Sequence, residues 1–541
     1  MEAILILLSV IVALLLVPAA LLLWLYLHDK AQTEHSVLRN YPVLGKLRYL
    51  IEKMGPELRQ YLFNNDREGK PFNRREFEFV NKAGKYADRM LGFGAERDYE
   101  QGGYYLANAM FPVQDEDLKR ERERQRPVDT YLYTIDKSEL FSRKEHRHPA
   151  QLDPAYLQES EWVVLGAGTA RQPFRVKGLI GQSAMSYGSL GSRAITALSR
   201  GLARAGGTWM NTGEGSVSPY HLEGGADLIM QISSGLFGVR TEDGAFAMDQ
   251  FRQQAQRPQI KAFELKLGQG AKTRGGHVDG KKITAEIAAI RNIPQGQDVD
   301  SPNRFPDIAT PEALLRFVHE LREEGGKPVG IKIVVGSELD ADRLVAAMQE
   351  TDIVPDFVTV DGSEGGTGAS YYELAYSVGL PAFAAVPLVD DLLRRYGLRA
   401  RTKLIASGKL ITPDKIAMAL ALGADLVNIA RGFMISVGCI MSQVCHTNTC
   451  PVGVATTDPK LERALTVEEK EYRVANYLIT LREGLFELAA VAGLDSPTQF
   501  TRAHLVYDDA FTRRTRLQAG GAGATVEPGG AAATKGSGVG D

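Results

Sequence analysis

The sequence predicts an α/β protein whose body is a (β/α)8 barrel of the TIM type, preceded by an N-terminal transmembrane helix and a helical extension. Three observations carry this. Over residues 176–432 short β-rich runs alternate with helical runs, the order expected of a parallel sheet with crossover helices. Eight such β-runs are present, the number that closes a barrel of this kind. Glycines and chemically active side chains collect just after the β-runs, at the end where barrels place their chemistry. An open doubly wound sheet is the alternative, and its nucleotide fingerprint is missing here.

A chain of 541 residues has room for a tail, a membrane segment and one large domain or two ordinary ones. With 44% hydrophobic and 24% charged residues it can bury a sizeable core. A net charge of -3 leaves no electrostatic footprint for nucleic acid, so no such partner is expected. Three cysteines, none arranged as a scaffold, fit a reducing compartment.

Residues 1–30 form the expected anchor. Residues 3–27 are apolar and uncharged, long enough at ~1.5 Å per residue to cross a ~30 Å hydrocarbon core with some tilt. Trp24 and Tyr26 stand at the far end, at the level of the headgroups, and Pro18 is placed to kink the span. A cleaved signal peptide is the competing reading. The run lacks a basic start and exceeds the usual ~7–15 apolar residues, so retention is expected. Lys30, Arg39, Lys46, Arg48 and Lys53 follow the span and no basic residue precedes it. The positive-inside rule then gives a single-pass inner or cell-membrane protein with its body in the cytoplasm.

Residues 31–150 read as a mixed, mainly helical extension. LGKLRYLIEKMGPELRQYLF spaces its apolar residues by three and four, for packing on the body or for lying on a membrane surface, packing being the commoner outcome. DEDLKRERERQRP, from Asp115, reads as a solvated helix ending before Pro127. VLGAGTAR, residues 164–171, imitates a dinucleotide fingerprint, but Arg171 holds the third glycine position and the segment reads as a turn.

The barrel domain is expected over residues 151–500. Its β-runs are KGLIGQSAMS, GTWMNTG, AFELKLG, VGIKIVV, DFVTVDG, a weaker one around PAFAAV, TKLIASG and ADLVNIARG. SRAITALSRGLARAG, PEALLRFVHELREEG, LDADRLVAAMQE and TPDKIAMALALG read as helices, and 215–260 as a long insertion. The tail, 519–541, is small and polar without periodicity and is expected to be disordered.

Candidate site residues follow the β-runs in turn. Ser186 and Tyr187 come after the first, and Asn211 and Glu214 after the second. Lys266, Gln269 and Lys272 end AFELKLG and its loop, and Lys332 lies within VGIKIVV. DGSEGGTGAS, residues 361–370, follows DFVTVDG, while Ser407-Gly408 and Ala430-Arg431-Gly432 close the last two. One Gly-rich loop is usually a tight turn, but several around one barrel point to a phosphate cradle. Buried Lys266 and Lys332 each need an anionic partner. A reduced flavin would supply one, and so would a carboxylate such as Glu264 or Asp361.

All three cysteines, Cys439, Cys445 and Cys450, fall in GCIMSQVCHTNTCPVG, residues 438–453. An odd number in one loop argues against a disulfide framework. Three thiolates with no fourth suit a three-iron cluster, since cubane and two-iron clusters want four. The spacing of five and then four intervening residues suits a loop wrapped around a bulky group. Two readings compete: a zinc site of three cysteines with His446, which lacks a C-x2-C pair, and three buried free thiols. The loop begins directly after the last β-run and must share the barrel's chemical face.

Taken together, SAMSYGSL, NTGEG, LKLGQGAK, DGSEGGTGAS, IASGK and GCIMSQVCHTNTCPVGVATTDP resemble the synthase domain of glutamate synthase, in order over residues 174–494. The resemblance implies FMN in the barrel and a three-iron, four-sulfur (3Fe-4S) cluster. It also implies reduction of 2-iminoglutarate, formed from 2-oxoglutarate and ammonia, by hydride from flavin N5, with electrons arriving through the cluster. By motif, Cys439, Cys445 and Cys450 would be cluster ligands. Ala184, Met185, Ser186, Asn211, Lys266, Lys332, Gly365, Gly366, Gly408 and Arg431 would line FMN. Lys266, Gln269, Lys272 and Glu214 would serve the reaction, with Lys272 on a substrate carboxylate and Glu214 handling protons or bonding loop amides.

Departures from the family pattern shape the rest. No cysteine precedes Cys439, so glutaminase chemistry is not expected, and no dinucleotide module is seen. Ammonia would be free or delivered, and electrons would come from a donor such as ferredoxin or a reductase subunit. The family's S-G-R-F-G-V becomes SGLFGV, with Leu236 where an arginine would help hold the 2-oxo acid; Arg274 and Arg304 are candidates to replace it. The anchor is similar to that of shorter, membrane-anchored glutamate-synthase-like proteins. Two rivals stand beside this reading: a methylamine–glutamate N-methyltransferase-type catalytic subunit, and a membrane-docked flavin and iron–sulfur electron carrier.

Overall fold

The computed structural model describes residues 1–136 and 144–509, so the expected disordered tail lies outside the described residues. The chain divides into two compact units, Met1–Glu78 and Phe79–Asp541.

The first unit opens with the helix Glu2–Ala31, 30 residues with Pro18 inside it and long and apolar enough to cross a membrane. Its one buried residue, Asp29, accepts the Val43 N–H at 2.9 Å and pairs with Lys46 at 2.7 Å, which folds the following segment back on the helix end. The helix Gly45–Leu58 then carries Leu47, Leu50, Ile51 and Met54 on one face, and all four are exposed.

In the second unit eight parallel strands close a barrel: β1 (Ile180–Gln182), β2 (Met210–Asn211), β3 (Leu228–Ser233), β4 (Ile260–Lys266), β5 (Val329–Ile333), β6 (Phe357–Asp361), β7 (Lys403–Ser407) and β8 (Leu426–Ile429). Neighbours in the chain are neighbours in the ring, and Val427 opposite Ile180 joins β8 to β1.

Two β-run expectations are corrected. PAFAAV is not a strand but the start of the helix Ala382–Arg395. Ala382, Ala385, Val386, Val389, Leu392 and Leu393 are buried at helical spacing, and a short apolar run cannot by itself be told from a helix segment. The missing strand is β3, LIMQIS, inside the stretch read as an insertion; all six of its residues are buried, so it shows no alternation.

The extension is helical only to Gly84. Beyond it Val128–Ile135 pairs antiparallel with Glu145–Leu152, where Val, Thr, Tyr and Ile favour a pleated surface. Thr130 and the Tyr131 carbonyl bond to Asn476, which ties this ribbon to the long helix Val467–Val491. The charge run from Asp115 is also corrected: it forms a single 3-10 turn, Asp115–Asp117, rather than a helix. Leu118 is its one apolar anchor, so a helix there would have had no face to bury.

The barrel interior is polar in its middle layer. Glu264 of β4 accepts from Asn211 of β2 at 2.8 Å, from Gln231 of β3 at 2.7 Å and from Thr359 of β6 at 2.6 Å. Side chains from non-adjacent strands meet this way only when they point inward. Trp209 fills the layer beneath β1 and donates to Asn428 at 3.1 Å, lying so close that a Cβ on Gly181 would sit 2.0 Å from its ring. Replacing Glu264 by Leu strands three donors in this interior. It is expected to lower the unfolding free energy by about 3–5 kcal/mol, read as a shift of the urea midpoint.

Candidate active site at the barrel mouth

The loops after the strands build a mouth around two buried lysines. Lys266, the last residue of β4, lies 2.8 Å from Glu214 in the loop after β2 and donates to the side-chain oxygen of Gln269, Oε1, at 3.0 Å. Lys272 approaches the other Glu214 oxygen at 3.5 Å. Lys332 of β5 pairs with Asp361 at the end of β6 at 3.2 Å, and the same Asp361 oxygen accepts the Gly270 N–H at 2.9 Å. Four of the sequence-predicted residues, Glu214, Lys266, Gln269 and Lys272, thus form one connected group. Each buried lysine has a carboxylate partner from the chain itself.

Charge decides how these groups titrate. Burial lowers Lys266, and although Glu214 opposes that shift, its ammonium pKa falls to about 8. Burial pushes Glu214 up, but Lys266 and Lys272 together hold it well below the usual carboxylate range. Burial also lowers Lys332, yet Asp361 and then Glu264 outweigh it and keep it above the ordinary lysine value. The mouth therefore holds one ammonium poised near neutrality and one locked in its charged form.

Glycine lets the loops close. A Cβ on Gly270 would lie 1.8 Å from the Gly362 carbonyl oxygen, so the loops after β4 and β6 meet backbone to backbone. Gly365 and Gly366 follow in the second of these, and a Cβ on Gly366 would meet the Arg431 side chain at 2.8 Å. Glu364 places both carboxylate oxygens 3.1 Å from the Ala382 N–H, at the start of the helix Ala382–Arg395, with Gly408 alongside. The loop's own acid thus takes up the donor at that helix end.

Around β1, the Met185 N–H bonds to the Asn211 carbonyl at 3.1 Å, and Ser186 Oγ accepts the Gly215 N–H at 3.2 Å. Ala184 is half-buried beside them. Behind them His221 Nε2 bonds the Met185 carbonyl at 2.9 Å, and burial lowers its pKa to about 4, so it stays neutral. Asn211 turns its amide inward to Glu264.

The thiol loop is tied to this face. Lys282, in the long loop after β4, donates to the Cys445 carbonyl at 2.7 Å, and Gly191, after β1, bonds the Val454 carbonyl at 3.0 Å. Met441, Gln443 and Asn448 take left-handed backbone, so the segment curls rather than extends. All three cysteines are free, Cys450 buried and the other two half-buried. Burial pushes the Cys439 thiol up to about 11, and the neighbouring Cys445 and Cys450 add to the shift. Among the described residues no three His, Cys, Asp or Glu side chains gather as a single-ion site.

Some site residues escape sequence reasoning. Arg291 is buried, donates to the Tyr187 carbonyl at 2.7 Å and is felt by Glu214. Its signal was available: Ile287, Ala288 and Arg291 share the buried face of the helix Ala285–Arg291. Gln231 is hidden because the sequence reads its stretch as an insertion, and Thr359 because a polar residue in a strand reads as outward-facing. Leu236 lies buried after β3 with left-handed backbone. Arg274 stacks on Tyr371 and Arg304 bonds the Ile308 carbonyl, and both are exposed.

Residues 112–495 match the conserved region in glutamate synthase. The chain is 58% identical over 508 residues to the glutamate synthase large subunit-like protein YerD of Bacillus subtilis (strain 168), covering 94% of this chain and 96% of that one. It is 38% identical over 316 residues to the archaeal glutamate synthase (NADPH) of Methanocaldococcus jannaschii, covering 58% of each. Against the glutamate synthase (NADPH) large chain of Bacillus subtilis (strain 168) the identity is 32%, over 57% of this chain and 20% of that one. The chain therefore spans nearly all of the first relative and little more than half of the archaeal one. Among solved structures a flavocytochrome b2 variant aligns at 12% identity with a TM-score of 0.41, covering 90% of this chain and 99% of that one, too remote to carry an argument.

Glu214 is the group that holds Lys266 up against burial. In Glu214→Gln the Lys266 ammonium is expected to titrate below its value of about 8, while Lys332, held by Asp361, stays high. Lysine-selective NMR of labelled protein checks both shifts. Because the folded Lys266 titrates below an unfolded lysine, its charged form opposes folding. The opposition is full below about pH 8 and is relieved as pH rises toward the unfolded value of about 10.4.

Proposed function

Because the chain belongs to the family defined by the conserved region of glutamate synthase, we propose that it is a glutamate-synthase-type oxidoreductase that reduces 2-iminoglutarate, from 2-oxoglutarate and ammonia, to glutamate. The observation that carries this is the convergence of Glu214, Lys266, Gln269 and Lys272 in a mouth whose loops also hold the thiol-bearing segment.

The residues present fit FMN. Lys266 and Lys332 offer two buried ammonium groups to an anionic ring edge, Gly365 and Gly366 bring backbone close, and Arg431 lies beside Gly366 for a phosphate. Ala184, Met185, Ser186, Asn211 and Gly408 complete the lining. Cys439, Cys445 and Cys450 fit a 3Fe-4S cluster in their donor set: one curled loop carries three free thiols. When bound, FMN would supply hydride and the cluster single electrons.

The chain's own groups do the rest. Lys272 Nζ, only loosely held by Glu214, is the ammonium available to a substrate carboxylate. Lys266 Nζ, with its pKa near 8, can hold a proton at neutral pH and release it at modest cost. Glu214 stays ionised and keeps both lysines in the mouth, and Gln269 fixes the direction of Lys266. Leu236 gives no charge for a second carboxylate, so Lys272 and Arg291 remain the cations for a dicarboxylic acid. The helix Glu2–Ala31 would anchor the protein as a single span, with the body on the cytoplasmic side facing a donor such as ferredoxin or a reductase subunit. The exposed apolar face of Gly45–Leu58, interleaved with Lys46, Arg48 and Lys53, suits the membrane surface.

Two measurements test the reading. Chemically reduced protein given 2-oxoglutarate and ammonium should form glutamate, and Lys272→Met should raise the KM for 2-oxoglutarate at least ~10-fold. Flavin oxidation without an amino acid product would hand the case to the electron carrier, and N-methylglutamate formed with methylamine, with no glutamate formed from ammonium, would hand it to the methylamine-type subunit. Anaerobically purified protein should contain iron and acid-labile sulfide in a ratio near 3:4, with an EPR signal in the oxidised state that Cys445→Ala abolishes.

A further inference from the structure

A cavity of about 670 Å³ lies at the end of the barrel opposite the mouth. It is bounded by Lys177, which precedes β1, by Arg200 and Arg204 near the end of the helix Ser192–Ala205, and by residues 124–129 of the extension. That helix of 14 residues starts on the mouth side, so about 20 Å separates the two sites. The volume falls in the range of metabolite pockets, roughly 300–1,000 Å³.

The charges lining it do not cancel. Its acids are already held: Glu471 by Arg200 at 3.6 Å and Arg204 at 2.5 Å, Glu159 by Arg124 at 3.6 Å. Glu121 accepts the N–H groups of Glu123 and Arg124, and Asp129 accepts the Gln151 amide. Arg126 and Lys177 form no ion pair among the described residues. Lys177 lies 5.2 Å from the centroid of the Trp162 ring and 5.6 Å from that of Tyr156, so rings and a cation line one wall. Two polar atoms of the lining are left over: Arg204 Nε is buried without an acceptor, and Gln125 Oε1 is buried without a donor, although its amide nitrogen bonds Asp153 at 2.6 Å. An unmet buried acceptor is costly unless something fills it.

We propose that this cavity is a binding site for a nucleoside phosphate, separate from the mouth. Arg126 and Lys177 take the phosphate. The base lies against the Trp162 and Tyr156 wall and gives an exocyclic or ring N–H to Gln125 Oε1. Arg126, Lys177 and Gln125 Oε1 then each meet one part of the ligand, and Arg204 Nε is left as a further donor to the phosphate. The ligand would touch Arg200 and Arg204 on the helix whose first turn bonds Glu462, just beyond the thiol loop, which places it at a regulatory distance from the chemistry.

Calorimetry on the full chain with AMP, GMP, CMP and UMP, and separately with inorganic phosphate and with adenosine, tests this. At least one nucleotide is expected to bind once per chain, with phosphate and adenosine each at least ~10-fold weaker. Arg126→Gln and Lys177→Gln should each weaken the nucleotide ~10-fold, Arg126→Lys should keep most of the affinity, and Glu214→Gln should leave it unchanged. Arg126 is exposed, so that variant carries the test even if Lys177→Gln folds poorly. The proposal is overturned if no nucleotide binds up to millimolar concentration, if phosphate alone binds as tightly, or if the cavity variants bind as the parent does. None of these outcomes depends on glutamate formation.

Discussion

A single buried carboxylate organises the barrel. Glu264 has no aqueous contact and draws hydrogen bonds from β2, β3 and β6 at once. A charge so far from water is tolerable only when its lone pairs are met and a counter-charge is near. The donors meet the first need and the Lys332 ammonium above the layer helps meet the second. The interior polar layer, the inward turn of Asn211 and the position of Lys332 are consequences of keeping that one charge inside.

The mouth is stacked on this layer. Two residues beyond Glu264 on the same face of β4 comes Lys266, and beside it in the sheet stands Lys332. Their like charges are separated by assigning each its own acid, Glu214 to one and Asp361 to the other. The two pairs differ in outcome because Lys266, with Glu214 as its one acid, also faces the cations Lys272 and Lys332, whereas Lys332 has three carboxylates in its field, Asp361, Glu264 and Glu214. Two lysines on neighbouring strands thus come to titrate far apart, which is the condition for giving one a proton-handling task and the other a fixed charge.

The thiol loop reaches this mouth by continuity of chain and by two clamps, Lys282 on the Cys445 carbonyl and Gly191 on the Val454 carbonyl. Both clamps come from loops that follow barrel strands. The loop is therefore held by the same elements that hold the lysines. Away from the mouth, the paired ribbon of the extension packs on the helix Val467–Val491, which in turn packs on the helix Ser192–Ala205. A Cβ on Gly201 would lie 2.5 Å from the Glu471 carbonyl, so those two helices touch backbone to backbone.

By itself the sequence determined the β/α alternation, seven of the eight strands, the apolar helix at the start, and the motifs that carry Glu214, Lys266, Lys272 and the cysteines. These are local signals of periodicity, punctuation and residue type. It misread β3 and PAFAAV because a fully buried strand and a buried helix start look alike when no polar face shows the period. Only the tertiary structure decided which acid pairs with which lysine, that Glu364 caps a neighbouring helix, and that Arg291 stands behind the mouth. Those depend on which loops become neighbours when the ring closes, and a chain read residue by residue does not contain that distance information.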